Sequence, residues 1–387
     1  MRGEYNLRIY ARVTLLTVRT VGAVALLAGL LATAQATADE RITFLAEVNG
    51  KPARFVVDTG ASALLTATAE SAKRLGLTIA HEDARTGPLA GKFLGTSASV
   101  RMVLPGGSGR DAVFEVLQPT PEQVSFSFDA IWGWPGVKHR IFHYSLGNGL
   151  RLDPSPAVDL SKAQQFPLVP TANVAIFDAG AGSEHLPVLV DTGSPGGVEL
   201  AKPLWDAWRR AHPNLPVTLI GRYSPATGPV VSEQAFAKRL EIGALVLNNV
   251  MVTELPDSQV TGKVQAKAVL GLGVFRNQGL WIDGEGGRIA FLPSSSSPVL
   301  YNRGGVSFPP PTMAALVSPM GPASQAGVMK GDILLAIDGI EPAAYAARIK
   351  TSSIWQQPPG TVLSLTLRRG DEQIERRVVL EDFLGQP

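Results

Sequence analysis

The 387-residue chain contains no cysteine. That excludes disulfides, thiol catalysis and lipidation at cysteine. Charge is scarce: charged residues make up 18% of the chain against 45% hydrophobic. Such a chain can bury a sizeable core and does not read as disordered. The basic excess is small and lies at one end. Net charge is +2, and Arg2, Arg8, Arg12 and Arg19 stand against Glu4 in the first 38 residues. The remainder carries 31 basic and 32 acidic residues, so no basic surface argues for nucleic acid. Metal-ligand spacing is also missing. His81, His139, His143, His185 and His212 form neither HExxH nor a paired pattern, so no metal and no cofactor is expected. The glycine-bearing stretches GLGVF and GAGSE do not lie between a strand and a helix of a βαβ unit, which argues against a dinucleotide fingerprint.

A membrane-length apolar run is lacking as well. The apolar core Val21–Leu31 is shorter than the ~20 residues a span needs. It follows a basic stretch ending at Arg19 and precedes small residues, AQA and ATA. This is the pattern of a signal peptide over residues 1–38. The expected product is exported, periplasmic or secreted, and attached to a membrane only if that segment is retained.

What the chain does have is turns and repetition. Forty glycines and 29 prolines, with few long helical patterns, predict a mainly β fold. RITFLAEVNGKPARFVVD (41–58) reads as a hairpin turning at Asn49-Gly50. TATAESAKRLGL (66–77) reads as a helix ending near Gly76, and DAIWGWPG (129–136) as an apolar strand interrupted by Gly133. The order then recurs. A hairpin at 173–191, a helix at 201–213, strands over 222–255 with turns at Gly243 and Asn248-Asn249, and an apolar strand at 267–275 containing Gly271 follow one another. IFHYSLGNGLRL (141–152) and LWIDGEGGRIAF (280–291) close the two halves as similar hairpins. Residues 40–293 therefore read as two copies of one β unit.

FVVDTGAS (55–62) and VLVDTGS (188–194) are the chemical core of that repeat. Each plants an aspartate at the end of a buried strand. A pseudo-two-fold axis between the halves brings Asp58 and Asp191 together. Two carboxylates in contact cannot both ionise, so they share a proton. The ionised one can activate water as a general base while the protonated one donates to a carbonyl oxygen. Gly60 and Gly193 allow the two loops to approach closely.

These paired motifs resemble the aspartic proteases of the retropepsin and pepsin clan, over roughly residues 40–293. Each lobe in that clan carries Asp-Thr-Gly and a later apolar-apolar-Gly segment. Here these are Asp58-Thr59-Gly60 with Ile131-Trp132-Gly133, and Asp191-Thr192-Gly193 with Val269-Leu270-Gly271. The resemblance implies that Asp58 and Asp191 form the catalytic dyad, that the Thr59 and Thr192 hydroxyls interlock, and that Gly133 and Gly271 lie beneath. Trp132 and Trp134 are bulkier than the clan's usual aliphatics. A flap is expected at 87–95 or 221–229, with Tyr223 as a candidate contact. Position 61 is alanine where position 194 is serine, so a Ser194 hydroxyl bond is expected to place most of the dyad's charge on Asp191.

PSSSSP (293–298) reads as a linker. Beyond it, GPASQAGVMKGDILLAIDG (321–339) resembles the PDZ domains of bacterial exported proteases, with RGGVSF (303–308) as a candidate carboxylate loop. Such domains bind extended peptides or C-termini by strand addition. RGD at 369–371 reads as a hairpin turn. The expected division is 1–38 signal peptide, 40–165 first lobe, 166–293 second lobe, 294–304 linker and 305–387 PDZ domain. The expected fold class is mainly β: two duplicated acid-protease-type lobes with the cleft between them, plus the C-terminal domain. The expected activity is that of an aspartic endopeptidase acting on extended or unfolded polypeptide as a monomer, with substrate recruited by the PDZ domain. A non-catalytic peptide-binding protein is the competing reading.

Overall fold

The computed structural model describes residues 41–86, 92–107, 109–118, 128–154, 157–170, 172–224, 228–255, 266–294, 299–309, 312–348 and 354–385. The expected signal peptide, 1–38, lies outside them, as do 87–91 and 225–227 of the two flap candidates. No helix among the described residues is long and apolar enough to cross a membrane.

The fold is mainly β, with acid-protease-like lobes. The first lobe is a nine-stranded sheet of β1 (Thr43–Val48), β2 (Lys51–Asp58), β3 (Leu65–Thr68), β4 (Ile79–Thr86), β5 (Lys92–Ser97), β6 (Val100–Val103), β7 (Arg110–Ala112), β8 (Glu115–Gln118) and β9 (Ala130–Gly133). Asn49 and Gly50 take φ of 52° and 70°, the left-handed pair that a two-residue hairpin turn requires. β9 pairs with β2 in parallel on the far side from β1. The end of β2 is buried without alternation because both of its faces are covered, Phe55 and Val57 by the main core and Val56 by a smaller cluster. Helix α1 (Ala69–Leu75) is shorter than expected from the sequence, since Leu65–Thr68 is drawn into the sheet as β3. Thr68 caps it by accepting the Ser71 N–H, and Gly76 ends it at φ 74°.

A hairpin of β10 (Ile141–Ser145) and β11 (Gly149–Leu152) follows, then β12 (Gln164–Pro167). The second lobe is a seven-stranded sheet of β13 (Ile176–Asp178), β14 (Pro187–Val190), β15 (Val198–Ala201), β16 (Val217–Ser224), β17 (Gly228–Ile242), β18 (Leu245–Leu255) and β19 (Ala268–Leu270). Its order is β13-β14-β19-β15-β18-β17-β16, and the first sheet contains β1-β2-β9-β3-β8-β5-β4. Position for position the two match, including the parallel pairs β2·β9 with β14·β19 and β3·β8 with β15·β18. Asn248-Asn249 is not a turn, contrary to expectation. It lies within β18, where Asn249 takes a φ of 53° and its carbonyl accepts from Asn277.

The hairpin β20 (Gln278–Asp283) and β21 (Arg288–Pro293) completes the second half. It joins the earlier hairpin in a five-stranded sheet, β11-β10-β20-β21-β12, with Phe142 opposite Ile282. The two halves are thus tied by backbone hydrogen bonds as well as by a shared core that includes Phe142, Phe177, Phe275 and Phe291. Trp132 belongs to this core, fully buried and edge-on to Phe44 at 5.3 Å. Its bulk fills the face of the sheet away from the cleft, and Gly136 makes room for the indole.

The C-terminal residues hold a separate core that includes Val306, Ala323, Leu334, Leu363 and Leu365. It is built from β22 (Val306–Ser307), β23 (Leu316–Val317), β24 (Ile333–Ile337), β25 (Val362–Arg369) and β26 (Glu372–Val379), with short helices at Pro322–Gln325 and Pro342–Arg348. This unit docks on edge strand β16: Ser318 Oγ donates to the Val217 carbonyl at 2.5 Å, and Asn302 Nδ2 to the Leu219 carbonyl at 3.1 Å. Val299 and Tyr301, expected within a linker, are instead buried against Phe236 and Met251 of the second lobe.

Candidate active site

Parallel pairing sets each aspartate at its sheet's centre. Asp58 ends β2 directly beside Gly133 of β9. Asp191 follows β14, and its N–H donates to the Leu270 carbonyl of β19 at 2.9 Å. The chain just beyond each neighbouring strand then crosses under the turn of its own lobe. Trp134 N–H donates to the Ala61 carbonyl at 2.9 Å, and Leu272 N–H to the Ser194 carbonyl at 2.8 Å. A Cβ on Gly133 would stand 1.9 Å from the Ala63 carbonyl oxygen, and one on Gly271 2.4 Å from that of Gly196. Only glycine fits where these segments cross.

Across the pseudo-axis the two turns interlock. Thr59 N–H donates to Thr192 Oγ1 and Thr192 N–H to Thr59 Oγ1, both at 3.1 Å. The hydroxyls pass the bond onward: Thr59 Oγ1 donates to the Val190 carbonyl at 2.6 Å and Thr192 Oγ1 to the Val57 carbonyl at 2.8 Å. Every one of these atoms is buried, where a satisfied network is rigid and a broken one is costly.

The grip brings each carboxylate against the other lobe's glycine. A Cβ on Gly60 would lie 2.6 Å from Asp191 Cγ, and one on Gly193 2.6 Å from Asp58 Cγ. Each carboxylate also accepts from its own turn: Gly60 N–H to Asp58 Oδ1 at 2.9 Å, and Gly193 N–H to Asp191 Oδ1 at 3.0 Å. Asp58 is 0% exposed and Asp191 4%. Asp58 Oδ2 is buried without a hydrogen-bond donor.

Burial pushes Asp58 up to about 6, opposed by the adjoining Asp191 carboxyl, the Gly60 and Ala61 amides and the Arg41 charge. Burial likewise raises Asp191, and here the neighbouring Asp58 and Glu199 charges push the same way, putting it well above the usual carboxylate range. The expectation built on Ser194 is therefore corrected. Its backbone N–H, not its hydroxyl, donates to Asp191 Oδ1 at 3.1 Å, while the hydroxyl oxygen accepts the Gly196 N–H at 3.4 Å. Both carboxyls are raised, and the Ser194 hydroxyl is turned to the Gly196 amide rather than to Asp191.

Arg41 and Glu199 were missed by motif reading. Both lie outside the Asp-Thr-Gly turns, and only strand register brings them to the site. A residue-by-residue comparison of the two repeats could have flagged both as unmatched charges. Tyr223 lies in β16 opposite Pro229.

Residues 45–104 match the aspartyl protease family. The matched stretch runs from within β1 to just past β6 and contains Asp58, Thr59 and Gly60. No curated protein matches the chain.

Proposed function

We propose that the protein is an aspartic endopeptidase that hydrolyses extended or unfolded polypeptide at the Asp58–Asp191 pair. The observation that carries this reading is the crossed arrangement itself. Two buried carboxyls from two halves of one chain lie each against the other half's glycine, on turns locked by reciprocal threonine bonds. Two carboxyls buried against each other are a costly arrangement for a purely structural role. The family match over 45–104 supports the same chemistry.

The step needs one proton on the pair. The ionised carboxylate takes a proton from water as the water oxygen bonds to the scissile carbonyl carbon. The protonated carboxyl gives its proton to the carbonyl oxygen, yielding a neutral gem-diol. As the C–N bond breaks, the amine nitrogen takes the proton held by the first carboxyl, and a diol hydroxyl returns a proton to the second. Small apolar clusters flank the pair, with Val56, Phe93, Phe128 and Ile131 on one side and Ile176, Leu189 and Val269 on the other. They suit the side chains of an extended substrate. With Asp58 fully buried, substrate enters only after the cleft faces part.

We propose the C-terminal unit as a PDZ-like recruiting module, on the strength of its GPASQAGVMKGD stretch. In the candidate loop, Gly304 and Gly305 N–H both donate to this chain's Asn302 Oδ1 at 3.0 Å. A peptide carboxylate would have to displace Asn302 to use them. Export, proposed from residues 1–38, fits a chain that holds together without disulfides.

The test is digestion of unfolded casein over a range of pH, with cut sites read by mass spectrometry. New termini that vanish in Asp58→Asn and Asp191→Asn are expected. Stoichiometric binding of casein without any cut would instead establish the non-catalytic peptide-binding protein.

A further inference from the structure

The two halves match in backbone but not in charge, and we propose that Arg41 and Glu199 polarise the dyad: Asp58 is the carboxylate that takes the proton from water, and Asp191 the acid that protonates the substrate carbonyl. This rests on the protease reading and goes beyond it by assigning the two roles.

Arg41 lies two residues before Thr43, the first residue of β1. Thr43 lies opposite Val56, and the Ile42 carbonyl accepts the Val57 N–H at 2.9 Å. Antiparallel register therefore sets Arg41 opposite Asp58, and alternation puts both side chains on one face. The guanidinium is half-buried, with its carbon 5.0 Å from the Phe128 ring centroid. That cation–π contact holds the charge over the cleft-side cluster of Val56, Phe93 and Phe128. The threonine grip relates residues 133 positions apart, and at that spacing the counterpart of Arg41 is Val174, a buried aliphatic.

Glu199 breaks the symmetry in the opposite sense. In the second lobe one row across the sheet reads Leu189, Val269, Glu199, Thr253. The matching row of the first lobe reads Val56, Ile131, Thr66, Glu115. Glu199 is 6% exposed and stands where the first lobe has neutral Thr66. Glu115 is half-buried and one strand farther from Asp58 than Thr66 is. Lys267, at the far end of β19 from the dyad, is exposed. A cation thus lies on the Asp58 side and an anion on the Asp191 side, in surroundings where charges are poorly screened. Both act in one direction. Arg41 favours charge on Asp58, and Glu199 disfavours it on Asp191. Arg41 and Glu199 act through the aspartates, so they are positioning residues.

The experiment is an NMR titration of the full chain carrying 13C-labelled aspartate carboxyls, with Asp58→Asn and Asp191→Asn used to assign the resonances. The pair titrates with two apparent values. The lower is expected on Asp58. Arg41→Gln should move it to higher pH by about one unit, the ordinary effect of losing a nearby opposite charge, and Arg41→Lys should restore it. Glu199→Gln should move the upper value, on Asp191, to lower pH. Glu199→Thr, which copies the first lobe, should do the same if the glutamine variant does not fold. The kcat/KM profile should follow, with its acid limb raised by Arg41→Gln and its alkaline limb lowered by Glu199→Gln. The proposal is overturned if the lower value sits on Asp191, or if folded variants leave both values unmoved. Because the NMR reads polarity whether or not the chain cuts peptides, its result is separate from the fate of the protease reading.

Discussion

Asp58 and Asp191 are buried groups that ionise at a cost, and the cost has a sign. Each has its folded pKa raised above the ordinary carboxyl value of 3.8, Asp58 to about 6. A raised group contributes stability fully below its unfolded pKa and loses it as pH rises through its folded pKa. The dyad therefore weakens the fold between about pH 4 and pH 6 and above. For Asp58 the loss is ~3 kcal/mol, from about 1.4 kcal/mol per pH unit. Asp58→Asn cannot ionise, so its Tm relative to wild type should rise between pH 4 and pH 7. A Tm difference flat across that range would mean that the carboxyl ionises without penalty. The aspartates, threonines and glycines of the site were legible because the motif occurs twice, in register with two downstream glycines. Arg41 and Glu199 were not, because their neighbours are set by pairing across strands rather than by adjacency in the chain. Ser194 misled for a related reason: its residue type suggested a hydroxyl donor, whereas the turn presents its amide.

At the scale of elements, hairpins and caps were the easiest to read. Asn49-Gly50, Gly76 and Gly370 all take the positive φ that their turn chemistry demands. Asn248-Asn249 was misread because the same local chemistry also serves an irregularity inside a long strand. The RGD stretch also finds a structural role. Arg369, at the end of β25, makes a two-pronged pair with Asp332 at the start of β24, both contacts at 2.8 Å. Asp332 is 2% exposed, and its bonds to Arg369 hold its pKa below the usual value. Arg369→Ala leaves the buried Asp332 carboxylate without its guanidinium partner, which lowers stability. Urea unfolding should show that loss at pH 7. A depressed carboxyl contributes its stability above its unfolded pKa and loses it as pH falls, so the difference should shrink in acid. An unchanged urea midpoint at pH 7 would show that the pair does not hold the C-terminal sheet.

The whole molecule has a duplicated frame with unequal contents. Matching strand orders build the pseudo-axis, and the five-stranded sheet joins the halves. The repeat was visible in the sequence, but the docking of the C-terminal unit was not. It depends on Asn302 and Ser318 meeting main-chain carbonyls of β16, contacts that leave no periodic trace. Since one chain supplies both aspartates, no second copy is needed to complete the site. Specific activity should therefore stay constant on dilution, and a steep fall at low concentration alongside dissociation in light scattering would contradict a monomeric enzyme.

The central claim is that the two carboxyls act as one catalytic unit. It is tested most directly by kcat/KM on a single peptide substrate for wild type, Asp58→Asn, Asp191→Asn and the double variant. Groups that act together are not additive, so each single variant should lose nearly all activity and the double variant little more. A single variant that keeps most of the wild-type rate, or losses that multiply in the double variant, would contradict the shared-proton dyad.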